Sequence, residues 1–229
     1  MRKFLIFFLI LVILLVAADR ISAYVAQRKV ASRVASTYSL PAPPSVTIRG
    51  FPFLTQLAVG RYSQVDVTLS SVTAGGVEMR DLRVRFTGVH APLTRLLGNG
   101  AGTVSADGAT ATALIPFASV RRRLPLGITL GAAGGALTLA GKIGYQGFQV
   151  PVSAAVSLRV TATSIEVSPR NVRVGGTLPV PPGPLGSRLA IALPVHNLPM
   201  HLKVTGVRIT NGGFEVSASA RDVEIENNG

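Results

Sequence analysis

Gly50-Phe51-Pro52-Phe53-Leu54-Thr55-Gln56-Leu57-Ala58-Val59-Gly60-Arg61-Tyr62 joins an apolar, helix-forming N-terminal region to a long succession of strands. Pro52 fixes its own φ and restricts Phe51, so two aromatic rings flank a stiffened backbone. Leu54 and Leu57 follow at helical spacing, and Gly60 suits the left-handed residue that closes a short helix. From Tyr62 the pattern becomes alternation. Val65, Val67 and Leu69 share one face; Gln64, Asp66, Thr68 and Ser70 share the other. The stretch reads as an aromatic plug leading into a sheet and covering an apolar interior, or as an ordinary core corner.

Toward the N-terminus, Arg2 and Lys3 precede an unbroken apolar run from Phe4 to Ala18. A charged start, a short apolar run and the small residues Val16-Ala17-Ala18 before Asp19 suit a secretory signal. The run is short of the roughly 20 residues of a spanning helix. Continued through Ile21, Ala23, Tyr24 and Val25 it becomes a retained anchor. Either outcome places the remainder outside the cytoplasm, because the positive charge precedes the run. Arg20 to Tyr38 reads as a moderately amphipathic helix, with Ile21, Tyr24, Val25, Ala31, Val34, Ala35 and Tyr38 on the apolar side. Pro41, Pro43 and Pro44 end it. The expected division is residues 1–18 as signal or anchor, 19–44 as helix and Pro-rich linker, and 45–229 as one domain.

Toward the C-terminus the chain is mainly strand and turn. Gly75-Gly76, Asp107-Gly108, Gly134-Gly135, Gly175-Gly176 and Asn211-Gly212-Gly213 mark the expected turns. Leu82, Val84 and Phe86 oppose Arg83 and Arg85. Alternate residues from Phe148 through Val150, Val152, Ala154, Val156 and Leu158 to Val160 form one long apolar face, well beyond the usual strand of about 5 to 6 residues. Residues 92–97, 116–124 and 184–193 read as helical turns laid across a sheet. Thr73–Met79 resembles Thr210–Val216, which predicts two equivalent hairpins. The expected class is α+β: a long curved antiparallel sheet wrapped around or covered by helices, preceded by an apolar helix.

Of the 229 residues, 48% are apolar and only 14% charged, yet no later apolar run reaches spanning length. The apolarity is therefore spread over one-sided strands. Basic residues number 23 against 10 acidic, for a net charge of +13. Most are Arg, whose fork binds phosphate and carboxylate. Arg121-Arg122-Arg123 is the densest cluster: a solvated helix end, or a contact for anionic headgroups. Nucleic acid is disfavoured by an aromatic content of 6%, the lack of a recognition motif and the export segment. There is no Cys, so disulfides, thiol catalysis and Cys-based metal sites are excluded. No nucleophile elbow, zinc-protease or P-loop pattern occurs. Gly98-Asn99-Gly100-Ala101-Gly102 lacks the strand and spacing of a phosphate loop. His90, His196 and His201 read as rim or loop positions, and the acids as solvated strand faces. No enzyme activity, metal or cofactor is expected.

The opening stretch resembles the signature of the actinobacterial LmeA-like phospholipid-binding family. The resemblance continues in Val89-His90-Ala91-Pro92-Leu93 and Ala111-Thr112-Ala113-Leu114-Ile115. It recurs in Leu198-Pro199, Thr205-Gly206-Val207 and Arg221-Asp222-Val223. It implies an extracytoplasmic, membrane-associated protein that binds phospholipid, similar to tubular lipid-binding domains. On that basis Phe51, Phe53, Leu54 and Leu57 help close an apolar groove. Phe86, Leu96, Leu97, Phe148 and Leu158 are further acyl-contact candidates, and Arg121, Arg122 and Arg123 are headgroup candidates. The expected partners are an anionic phospholipid and the membrane surface. The rival reading is a non-enzymatic envelope scaffold with a solid core.

Overall fold

A computed structural model describes residues 1–74, 77–92, 103–121, 127–133, 136–145, 148–161, 164–175, 178–179, 191–194, 200 and 202–225. Helix α1 (Arg2–Thr37) is one unbroken helix. No Gly or Pro occurs before Pro41, so nothing interrupts its backbone hydrogen bonds. Strand β1 (Ser45–Arg49) follows, then the short helix α2 (Phe53–Val59), closed by Gly60 at φ +71°. Strands β2 (Arg61–Ala74), β3 (Val77–His90) and β4 (Val104–Pro116) lead to helix α3 (Phe117–Arg121). Next come β5 (Ile128–Ala133), β6 (Ala136–Tyr145), β7 (Phe148–Val160) and β8 (Ser164–Val174). The chain continues through β9 (Leu178–Pro179), β10 (Ile191–Pro194), β11 (Lys203–Ile209) and β12 (Gly213–Ile225).

Two open sheets result. One has the order β1-β2-β3-β4-β12-β11, the other β10-β8-β7-β6-β5, with β9 beside β8. The fold is thus long, mostly antiparallel sheet with a few helices and an N-terminal apolar helix, in agreement with the expected class. The hairpins predicted from the internal resemblance fall on β2–β3 and β11–β12, each a neighbouring pair in the first sheet.

The chain divides into two compact units: residues 1–70, 83–110 and 220–229, and residues 71–82 with 111–219. In the second unit, β7 lies between β6 and β8. Leu139 pairs with Leu130 on one side and Ala154 on the other. These residues join Leu137, Val152, Ile165, Val167, Val172, Val120 and Phe214 in a continuous buried cluster. The Phe117 and Phe214 rings meet edge to face at 5.1 Å. In the first unit, α1 packs on β1 and α2, and Phe53, Tyr62, Phe86 and Val89 are buried.

Three local expectations are corrected. Asp107-Gly108 is not a turn but lies inside β4. Gly88 of β3, at φ +59°, faces Asp107, and a Cβ at Gly108 would lie 3.3 Å from Thr87 Oγ1. The pair serves close strand approach rather than reversal. Residues 191–193 are not helical: Ile191–Pro194 pairs antiparallel with Ser164–Val167. A four-residue apolar run does not distinguish helix from strand, and a free strand edge decides it. Finally, the packed stripe of α1 is Asp19, Ala23 and Ala31: of the expected apolar side Ala31 is buried and Val34 and Ala35 half-buried, whereas Ile21, Tyr24, Val25 and Tyr38 point outward. Small side chains let the helix approach its neighbours closely, and that leaves the large ones outside. The reading of residues 93–97 as a helical turn lies outside the described residues.

Candidate functional site: the Phe-Pro-Phe corner

The corner is assembled from sequence-distant parts. Pro52 is the N-cap residue of α2, with extended backbone and no side chain able to satisfy the free N–H groups of the first turn. Asp19 of α1 supplies the cap instead: its Oδ1 accepts the Leu54 N–H at 2.8 Å. Asp19 is only 3% exposed. Arg20 approaches its other oxygen at 3.4 Å and lays its guanidinium over the Phe51 ring, 4.8 Å from the centroid. At this distance a cation over a ring face is attracted by the ring quadrupole.

The two Phe on either side of Pro52 part company. Phe53 turns inward, 2% exposed, with its ring 6.2 Å from that of Tyr62. Phe51 stays 61% exposed, and Leu54 39%. Leu57 is half-buried. Gln56 ties the corner to β2: its Oε1 accepts the Ser63 N–H at 3.0 Å, while Ser63 Oγ donates to the Arg49 carbonyl at 2.9 Å. Only glycine fits at position 50. Its φ is +111°, and an added Cβ would come within 2.5 Å of Gln56 Nε2.

Between these residues lies an open cleft of about 390 Å³, lined by Gly50, Phe51, Gln56, Arg61, Tyr62, Ser63 and Gly88. Gln56 Nε2 and the Tyr62 hydroxyl are buried without a hydrogen-bond partner among the described residues. Burial pushes the Tyr62 phenol above its usual range, which keeps it neutral and able to donate. The corner therefore combines an exposed aromatic ring, an Arg at the rim and neutral donors. Beside it, burial raises the Asp66 carboxyl, but hydrogen bonds from Arg49, Arg85 and Gln64 and the charge of Arg85 outweigh that and hold it low. Its bonds to Arg49 and Arg85 measure 2.6 and 2.9 Å. Asp66 is a bridging anion within a sheet face, already committed to protein cations.

On the other face of the same strands Val46 and Phe86 are buried, while Ile48, Val65, Val67, Leu69 and Val84 are only half-buried. This apolar stripe runs along β1, β2 and β3, and protein covers it in part. Of the remaining sequence-predicted residues, Phe86 is buried in the first unit and Leu158 packs, half-buried, against the second unit's core. Arg121 is exposed at the end of α3. Leu96, Leu97, Arg122, Arg123 and the side chain of Phe148 lie outside the described residues. No group of three His, Asp or Glu converges among the described residues. Sequence reasoning missed Asp19, Gln56 and Asp66 as organising residues. A lone acid directly after fifteen apolar residues was the one available signal, for Asp19 alone.

The family model for LmeA-like phospholipid-binding proteins matches residues 17–219. The chain belongs to that family. The match begins two residues before Asp19 and takes in the whole corner, β1 to β11 and most of β12. Neither a curated protein nor a solved structure matches the chain. Membership carries phospholipid binding in general, and the exposed apolar part of α1 fits membrane association: it includes a window of mean hydropathy 2.7 that is 6% buried.

Proposed function

We propose that this chain is an extracytoplasmic phospholipid-binding protein of the cell envelope that holds acyl chains against its sheet and catalyses no reaction. The observation that carries the reading is the half-covered stripe Ile48, Val65, Val67, Leu69 and Val84. Apolar side chains left partly in water gain about 25 cal/mol per Å² when covered, and an acyl chain is a linear apolar cover. Family membership supplies the class of ligand. The net charge of +13 favours an anionic headgroup, and handling of envelope lipids or lipoglycans is the role that such a module would serve. The dense core of the second unit suits a scaffold equally well, so cargo decides between the two.

The test is mass spectrometry of an organic extract of the purified protein, with stripped and relipidated protein as reference. Phospholipid in near-stoichiometric amount is expected. Protein that emerges free of lipid and takes none up from vesicles belongs to the scaffold reading.

A further inference from the structure

The contacts of Asp19 and Arg20 fix a depth. The apolar run Phe4–Ala18 is about 22 Å long at 1.5 Å per residue, short of a hydrocarbon core of about 30 Å. The outward side of α1 continues apolar beyond it, through the exposed Ile21, Tyr24 and Val25. From Phe4 to Val25 the helix covers about 32 Å, enough to cross. Tyr24 then lies at the interface, where aromatic rings concentrate, with the Arg28 guanidinium over its ring at 4.8 Å. Asp19 sits one and a half turns below Tyr24. A carboxylate at that depth is costly unless shielded and hydrogen-bonded. Asp19 is shielded, its Oδ1 accepts the Leu54 N–H, and its Oδ2, which has no hydrogen bond among the described residues, faces the Arg20 guanidinium at 3.4 Å.

The same bond brings the domain to that depth. Leu54 touches Asp19, and Phe51 lies under Arg20, so both share the level of residues 19–20, below Tyr24. Both are exposed. The outward face of α2 is Leu54, Thr55, Ala58 and Val59, with no charge on it. We infer that α1 is retained and that Phe51 and the outward face of α2 are immersed in the headgroup–acyl boundary of the bilayer that α1 enters. This goes beyond the cargo reading: it concerns the membrane as a surface, whatever the stripe holds.

The chain contains no Trp, so single Trp probes report without background. Phe51→Trp and Leu54→Trp, in the full chain reconstituted in phosphatidylcholine–phosphatidylglycerol vesicles, should emit at shorter wavelength than Thr68→Trp on the exposed face of β2. Lipids brominated high on the acyl chain should quench most of their emission, and aqueous iodide little of it. Extraction into bromine-free detergent should restore the signal. Emission matching Thr68→Trp, with full iodide access, overturns the inference. So does bromine quenching that survives extraction, since the contact is then with retained cargo. The intact mass of chain taken from membranes should include residues before Asp19; a mature start at Asp19 overturns the retained helix. Lipid content of the same preparations is measured separately, so failure of docking and failure of cargo binding are distinguishable.

Discussion

Single residues set the geometry of the corner, and two acids do so in opposite settings. Asp19 is a buried cap reaching across 35 positions to Leu54. Asp19→Ala should cost about 1 to 2 kcal/mol, the usual range for a lost cap or a lost hydrogen bond to a charged group. Asp19→Asn keeps an acceptor in place and should cost clearly less in urea unfolding; equal losses would show that the cap is not the source. Asp66 lies nearer solvent, between Arg49 and Arg85, whose side chains are more than half exposed. Its folded pKa is depressed, so its stabilisation is present above the ordinary carboxylate pKa and is lost as pH falls through the lower folded value. Asp66→Asn should therefore cost about 1 kcal/mol near neutrality. The gap from wild type should close progressively below about pH 4, where the unfolded carboxyl also takes up its proton. A gap independent of pH in unfolding scans would mean that packing, not charge, makes the difference. Sequence singled out Asp19 only as a lone acid after the apolar run and left Asp66 as a solvated position, because the partners of both are set by tertiary approach.

Elements were more legible than residues, because periodicity is a local property. The short helix Phe53–Val59 closed by Gly60, the alternation of Leu82 to Phe86 and the unbroken strand β7 follow the pattern of side chains, except that Val160, the last residue of the expected apolar face, is exposed. What failed was the choice between uses of one signal. Asp-Gly served strand approach instead of reversal, and the large residues Ile21, Tyr24 and Val25 of α1 turned outward because Ala23 and Ala31 pack where larger residues would hold the helix off. In β7, Val152 and Ala154 are buried and Gln149, Ala155 and Arg159 exposed, with an irregularity of register between Ser153 and Ala155 opposite β8. Val152→Asp should destabilise by several kcal/mol, since it buries a charge with no partner or forces its neutralisation. Ala155→Asp should cost under about 0.5 kcal/mol. Chemical denaturation reads both, and similar losses would contradict a one-sided strand.

For the whole molecule, the sites divide into those that hold the fold and those left for a ligand. If an anionic headgroup is held by charge, vesicle binding should weaken with salt, as screening shortens to about 8 Å at physiological strength. Replacing Arg121, Arg122 and Arg123 together by Gln should weaken binding and leave the unfolding midpoint in place. Unchanged affinity would make the cluster a solvated helix end. The apolar residues give the sharper division. Phe53 was expected at a groove wall, but it is buried against Tyr62. Phe53→Ala should therefore cost about 3 to 5 kcal/mol even in lipid-free protein, because it leaves a void inside fixed packing. Val67 and Leu69 lie on the half-covered stripe. A polar group there loses little in lipid-free protein, where water already reaches the site. In the loaded protein it would have to be covered by an acyl chain that offers no hydrogen bond, at about 1 to 3 kcal/mol on the scale of protein substitutions. Val67→Asn combined with Leu69→Asn should thus leave stability after delipidation nearly unchanged and lower phospholipid occupancy at least tenfold, since 1.4 kcal/mol is about a factor of ten. Calorimetry of stripped protein and lipid quantification of loaded protein read the two halves separately. If the double variant instead loses stability when stripped and keeps its lipid, the stripe is core and the acyl chain lies elsewhere.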